Sequence, residues 1–224
     1  MPTNSILRIV LLLGLIAFCT SCVFNRLPSR NGRKKILTGQ RAIVLIRITA
    51  ELLDGTPVSA FPSNLMADNV NIGLGTFDTG GKLELVDSPR SLSVELREEG
   101  WIYLILEPGS YYLGIMGPQM TGYDLRKQQA KYAQPHWRVD IPMDTHVVYI
   151  GTLHLYCRGM TTVFINKITK RCIEIDEHRT IIQNETISAQ KLAEEYFGDY
   201  GAPQTLLLQR HDSPTIIFQG PSHK

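Results

Sequence analysis

From residue 42 onward, turn residues cut the chain into short β-rich segments, and that cadence constrains the fold more than any other feature. "AIVLIRITAEL" covers 42–52 and stops at "DGTP". "NVNIGLGTF" places Val70, Ile72 and Leu74 on one face, with Asn69, Asn71 and glycines on the other. "KLELV" follows the turn "DTGG". "SLSVEL" alternates strictly, with Leu92, Val94 and Leu96 on one side and Ser91, Ser93 and Glu95 on the other. "REEG" turns into "WIYLILE", which meets "PGS" and returns as "YYLGIM". After the polar stretch "GYDLRKQQAKYAQPH", strands resume in "WRVDIP", "THVVYIGTLHLYC", "TTVFINKI" and "RCIEID", the last two separated by the turn "TKR". Hairpin signals every 8–12 residues or so predict a mainly β fold, an antiparallel β-sandwich or barrel.

One helix is expected late in the chain, about 188–198. Ser188 can cap "AQKLAEEYFGDYG", whose Ala189, Leu192, Ala193, Tyr196 and Phe197 form a stripe, and Gly198 ends it. "TLLLQR" and "TIIF" beyond it read as edge strands or a packed tail. The folded unit is therefore expected to span 42–224 as a single domain. Its middle, "FDTGGKLELV … WIYLILEPGSYYLGI", resembles transthyretin-like and carboxypeptidase-regulatory-like sandwiches through Gly81, Pro108, Gly109, Tyr111 and Leu113. "VVYIGTLHL" (147–155), with a helix following after more strands, resembles uncharacterised bacterial lipoproteins built on such sandwiches. That resemblance implies a fold rather than a task, since the architecture hosts many.

The amino terminus speaks about address. After Arg8, Ile9 to Cys19 runs eleven residues without a polar side chain. As a helix it would be about 16 Å long, roughly half a bilayer core, which suits the apolar region of a signal peptide better than a span. Thr20 and Ser21 are small and lead into Cys22. The stretch resembles the bacterial lipoprotein signal, in which such a cysteine is acylated and becomes the new terminus; Cys19 departs from the pattern, which prefers an aliphatic residue there. The resemblance implies a signal peptide over 1–21, lipidation (palmitate among the acyl chains) at Cys22, and a membrane partner held through the lipid. Cleavage near Ser21 without lipid, or an uncleaved anchor, are the alternatives. Residues 22–41 then carry six basic residues (Arg26, Arg30, Arg33, Lys34, Lys35, Arg41) and no acid. Pro28, Ser29, Asn31 and Gly32 interrupt that stretch, so it reads as a flexible basic tether beside the membrane.

Charge separates the two parts. Of 23 Lys and Arg, Arg8 lies in the leader and six in the tether, leaving 16 from residue 42 on against all 21 acids, a net charge of −5. A mildly acidic domain excludes nucleic acid as the expected partner, because phosphate wants a basic face.

Chemistry-bearing motifs are sparse. Asp78-Thr79-Gly80 resembles the aspartic-peptidase signature, but no second such motif supplies the paired carboxylate, and a hairpin turn explains it as well. "GLG" at 73–75 has no following helix and cradles no phosphate. His146 and His154 would share a face on a regular strand, yet about 26 Å apart, too far for one ion. No metal and no cofactor are expected. Cys157 and Cys172 lie on neighbouring strand candidates, either as a disulfide of an exported protein or as buried thiols. Trp101 and Tyr112 are candidate binding aromatics, with core filling as the bland alternative.

The expectation is thus a non-enzymatic, membrane-anchored lipoprotein of the bacterial cell envelope with a structural or protein-binding role. Val23 rather than an aspartate follows Cys22, which favours the outer membrane, facing periplasm or exterior, with envelope proteins as partners. The rivals are a carbohydrate- or peptide-binding surface module and, more remotely, a hydrolase using Asp78.

Overall fold

The computed structural model describes residues 28–58, 71–77, 83–87, 89–116, 137–165, 167–176 and 178–210. The expected signal peptide, Cys22, Asp78 with its "DTGG" turn, the "GYDLRKQQAKYAQPH" stretch and "TIIF" lie outside them. The described protein is mainly β, with two sheets and a C-terminal helix.

The stretch expected to be a flexible tether instead contains a helix, α1 (Arg30–Leu37). The Ser29 hydroxyl accepts the Gly32 amide at 3.3 Å and starts it, and Lys34 and Lys35 sit in the last turn, where positive charge suits the helix dipole. Ile36 is fully buried, and Arg33 pairs with Asp199 while lying 5.9 Å from the Tyr200 ring centroid. One apolar anchor and one ion pair thus dock the helix that its glycine and asparagine seemed to forbid.

The chain then enters β1 (Ala42–Leu52), the centre of the first sheet. On one edge β1 pairs antiparallel with β2 (Pro57–Val58) and β5 (Trp101–Leu106); on the other it pairs in parallel with β8 (Val147–Ile165). The far edge of β8 carries β9 (Lys167–Ile175), β10 (Ile181–Gln183) and β11 (Gln204–Thr205). This sheet is mixed, so the expectation of a purely antiparallel architecture is corrected: β1 and β8 lie about a hundred residues apart in sequence, room enough for a crossover to align them in parallel. The second sheet runs β12 (Gln209–Arg210), β7 (Trp137–Ile141), β6 (Gly109–Met116), β3 (Asn71–Phe77), β4 (Leu83–Asp87), every pair antiparallel.

The core explains why "AIVLI" shows no alternation. Ala42, Val44, Ile46 and Ile48 pack with Leu74, Tyr111, Leu113, Val139 and Ile141 of the second sheet. Ile43 and Leu45 face the other way, onto Ile36 and onto Ala189, Leu192, Ala193 and Phe197 of α3 (Thr186–Phe197). A strand buried on both faces reads as a continuous apolar run.

Three local readings are corrected. "SLSVEL" is not a strand: Ser93 accepts the Leu96 amide at 3.1 Å and caps a short helix, α2 (Val94–Glu98). The Pro108-Gly109 turn is not a hairpin: β5 and β6 belong to different sheets, and the chain crosses between them there, pinned by the Tyr111 hydroxyl donating to the Glu107 carbonyl at 2.6 Å. The late helix starts at Thr186, not after Ser188, because the Asn184 side chain accepts the Thr186 amide at 3.1 Å. That helix ends at Phe197, one short 3₁₀ turn (Gly198–Tyr200) follows, and α1, α2 and α3 make three helices among the described residues rather than one.

Candidate functional site

Helix α3 covers only the first half of the β1/β8 face on which it lies. Past its amino terminus the two parallel strands present polar side chains in register: Arg47 beside Thr152, Thr49 beside His154, Glu51 beside Tyr156. A bulge creates this order. Gly151, at φ 112°, occupies the point where two residues of β8 oppose one of β1, and an added Cβ there would press on Ile182. Residues 148 and 150 point to the inter-sheet core before it, and 153, 155 and 157 after it. His146 and His154 therefore do not share a face, contrary to the regular-strand expectation.

Arg47 organises one end of the patch. Its Nε donates to the Glu99 carbonyl at 3.0 Å, a terminal nitrogen donates to Glu185 at 2.8 Å, and the guanidinium lies 5.5 Å from the Trp101 ring centroid. The same Glu185 oxygen accepts the Thr152 hydroxyl at 2.8 Å. Since that spends the single threonine proton, the Tyr149 hydroxyl, 2.8 Å away, donates to Thr152, and itself accepts the Glu185 amide at 3.2 Å. Tyr149 and Thr152 are both fully buried, so this closed chain fixes Glu185 and Arg47 from beneath. Burial pushes the Tyr149 phenol up from its ordinary range. For Glu185, burial also favours the neutral acid, but hydrogen bonds from Arg47 and Thr152, with the charges of Arg47 and His154, outweigh it and hold the carboxyl below the ordinary range.

A depressed carboxyl stabilises the fold above the unfolded-state pKa, about 4.3, and that contribution vanishes as pH falls through the folded value. Glu185→Gln should therefore flatten the acid limb: wild type loses stability more steeply than the variant between about pH 5 and pH 3, checked by urea unfolding at a series of pH values.

The other end holds His154. Its Nδ1 lies 2.8 Å from the Thr49 hydroxyl, its Nε2 3.3 Å from a Glu51 carboxylate oxygen, and its ring 4.9 Å from that of Tyr156. Hydroxyl, imidazole and carboxylate in line is the order of a base-activated nucleophile. Acyl transfer also needs amide donors aimed at a developing oxyanion, and here β8 is flanked by β1 and β10, so its backbone donors are committed to the sheet. The patch offers side-chain donors, acceptors and both charges.

The residues singled out in the sequence fare differently. Trp101 is 4% exposed, packed against Tyr149 under Arg47, and presents no open ring. Tyr112 is half-buried on β6, opposite Arg138 on β7, whose guanidinium carbon lies 5.9 Å from its ring centroid; Ser110 and Asp140 form the next pair along. Cys157 and Cys172 are joined by a disulfide, both buried, with Cα atoms 5.5 Å apart. Their ladder slips twice, at Cys157/Gly159 and Gly159/Met160, and the cysteines meet although Cys172 is registered against Met160. Cys22 and Asp78 lie outside the described residues. Among the described residues, no group of three or more His, Cys, Asp or Glu is placed to hold a metal. Arg47, Thr49, Glu51, Thr152, His154 and Glu185 carried no local spacing signal; the glycine inside the β8 segment was the only hint. No family model, no curated protein and no solved structure matches this chain.

Proposed function

We propose that the protein is a lipid-anchored envelope lipoprotein, acylated at Cys22 and without catalytic activity, whose domain displays a binding face to other envelope proteins. The observation that carries this reading is polarity along one sheet. The chain enters through α1 at the end where β1 and β8 begin, while the Thr49–Glu51–His154–Tyr156 face and the β8/β9 hairpin lie toward the end where β1 finishes. An anchor at one end leaves the other reaching away from the membrane. The two sheets, sharing one apolar core, form a β-sandwich on this reading, with a mixed rather than antiparallel first sheet. The absence of an aspartate after Cys22 supports the outer membrane.

Cys22→Ala tests the anchor. Wild type is expected to incorporate labelled palmitate and the variant none, whereas label retained in the variant, or absent from both, would rule acylation at Cys22 out as the tether. A second reading, a carbohydrate- or peptide-binding module, is supported by Tyr112 beside Arg138, Asp140 and Ser110. Tyr112→Ala would abolish its binding to an oligosaccharide array and leave the anchored-scaffold reading untouched.

A further inference from the structure

We propose that the α1 end of the domain docks flat on an anionic bilayer surface, so that the lipid anchor and the protein make one rigid attachment. The inference rests on acylation at Cys22 and adds the orientation. Seven residues separate Cys22 from Arg30. Fully extended, that stretch reaches about 28 Å, so α1 cannot leave the neighbourhood of the headgroups. Nor can it swivel independently, because Ile36 is buried and Arg33 is paired with Asp199.

What α1 turns outward is the complement of such a surface. Ile36 is the residue this helix buries, so helical geometry puts Lys34 on the opposite face, with Arg30, Lys35 and Leu37 to either side of it. Arg30, Lys34 and Lys35 are exposed, and Leu37 is 48% exposed. Next to them Met143 is 79% exposed on the turn before β8. Lys35 and Met143 line one open cleft of about 490 Å³ with Thr38, Gln40, Glu107 and Asp144. Of its two acids, Glu107 is neutralised by Arg41 at 2.9 Å, which leaves Asp144 against the three cations Arg30, Lys34 and Lys35. Clustered cations ringed by protruding apolar side chains fit anionic headgroups over an acyl boundary. The domain as a whole is acidic, so the basic end is set apart from the rest of it.

The acylated full-length protein in nanodiscs provides the test. Met143→Cys carries a fluorophore at this end, and Leu53→Cys carries it at the far end, after β1; both sites are exposed and Cys157 and Cys172 are engaged with each other. With brominated phosphatidylglycerol in the disc, the label at 143 should be quenched and the label at 53 should not. Phosphatidylcholine discs should abolish the quenching, and Lys34→Gln with Lys35→Gln should lower the docked-to-free ratio about 25-fold, about fivefold for each charge. An unquenched label at 143, equal quenching at 53, or quenching indifferent to lipid charge and to both lysines would overturn the docked orientation, provided the intact mass shows the acyl chains. A mass without them would instead sink the anchor reading itself, and this inference with it.

Discussion

Gly100→Ala is expected to cost the protein a large part of its folding stability. Gly100 sits at φ 92° immediately after α2, where its amide donates to the Arg97 carbonyl at 3.0 Å and closes the helix. Its carbonyl accepts the Ile48 amide at 2.9 Å, which brings two backbones together in the middle of β1. A Cβ at this position would overlap the backbone carbonyl of Ile48, a buried residue of the central strand of the first sheet. The left-handed conformation costs alanine on the order of 1–2 kcal/mol, and forcing β1 from β5 adds broken ladder bonds and lost packing. A total of about 3–5 kcal/mol is expected against a typical reserve of 5–15 kcal/mol. Thermal unfolding would show it as a drop of about 10 °C or more; a midpoint within about 2 °C of wild type would mean that β1 and the turn at Gly100 are not in contact.

The second large effect concerns the disulfide. Cys157 and Cys172 close a loop of 15 residues at the point where the β8/β9 hairpin leaves the body of the sheet. Beyond residue 157, β8 loses β1 as a neighbour and is paired with β9 alone among the described strands. A lone two-stranded hairpin is marginal in water, so its root matters more than its tip. Asp176 holds the same root from the other side: it accepts both Arg158 bonds, at 3.0 and 2.8 Å, and its backbone amide donates to the Tyr156 carbonyl at 2.7 Å. Reduction is expected to cost about 3 kcal/mol on the chain-entropy account, lowering the midpoint by about 6–12 °C. Identical midpoints with and without reductant, and alkylation of both cysteines in the denatured protein without prior reduction, would show that the thiols are free.

Much of the strand content was legible because burial imposes a pattern. "WIYLIL" and "AIVLI" are apolar on both faces since helices cover one side of their sheet and the second sheet covers the other. Alternation alone misled at "SLSVEL", where Ser93 supplies a cap and Leu92 packs into the helix-side core without needing a strand. Pro108-Gly109 was readable as a turn but not as a change of sheet, because turn chemistry reports local dihedrals and says nothing about which strand is next door. The parallel pairing of β1 and β8 was hidden for the same reason. The tether was misread because glycine and asparagine lower helix propensity only modestly, while burial of Ile36 and the Arg33–Asp199 pair are tertiary facts.

The candidate site was nearly invisible in the sequence. Its charged pair, Arg47 and Glu185, joins residues 138 apart, and Thr49 meets His154 only once the parallel register is known. The bulge at Gly151 moves Leu153, Leu155 and Cys157 onto the inter-sheet face that Val148 and Ile150 occupy before it, which a period-two reading of the strand cannot foresee. Core filling, the commoner role of such an aromatic, is what Trp101 does, but the residues that pack against it, Arg47 and Tyr149, come from two other strands and could not be named in advance.

The intact mass of the full-length protein purified from bacterial membranes tests the lipid anchor most directly. A chain beginning at Cys22 and carrying diacylglyceryl or triacyl mass, lost in the Cys22→Ala variant, is the predicted result. An unacylated chain, or one that retains residues 1–21, would contradict it.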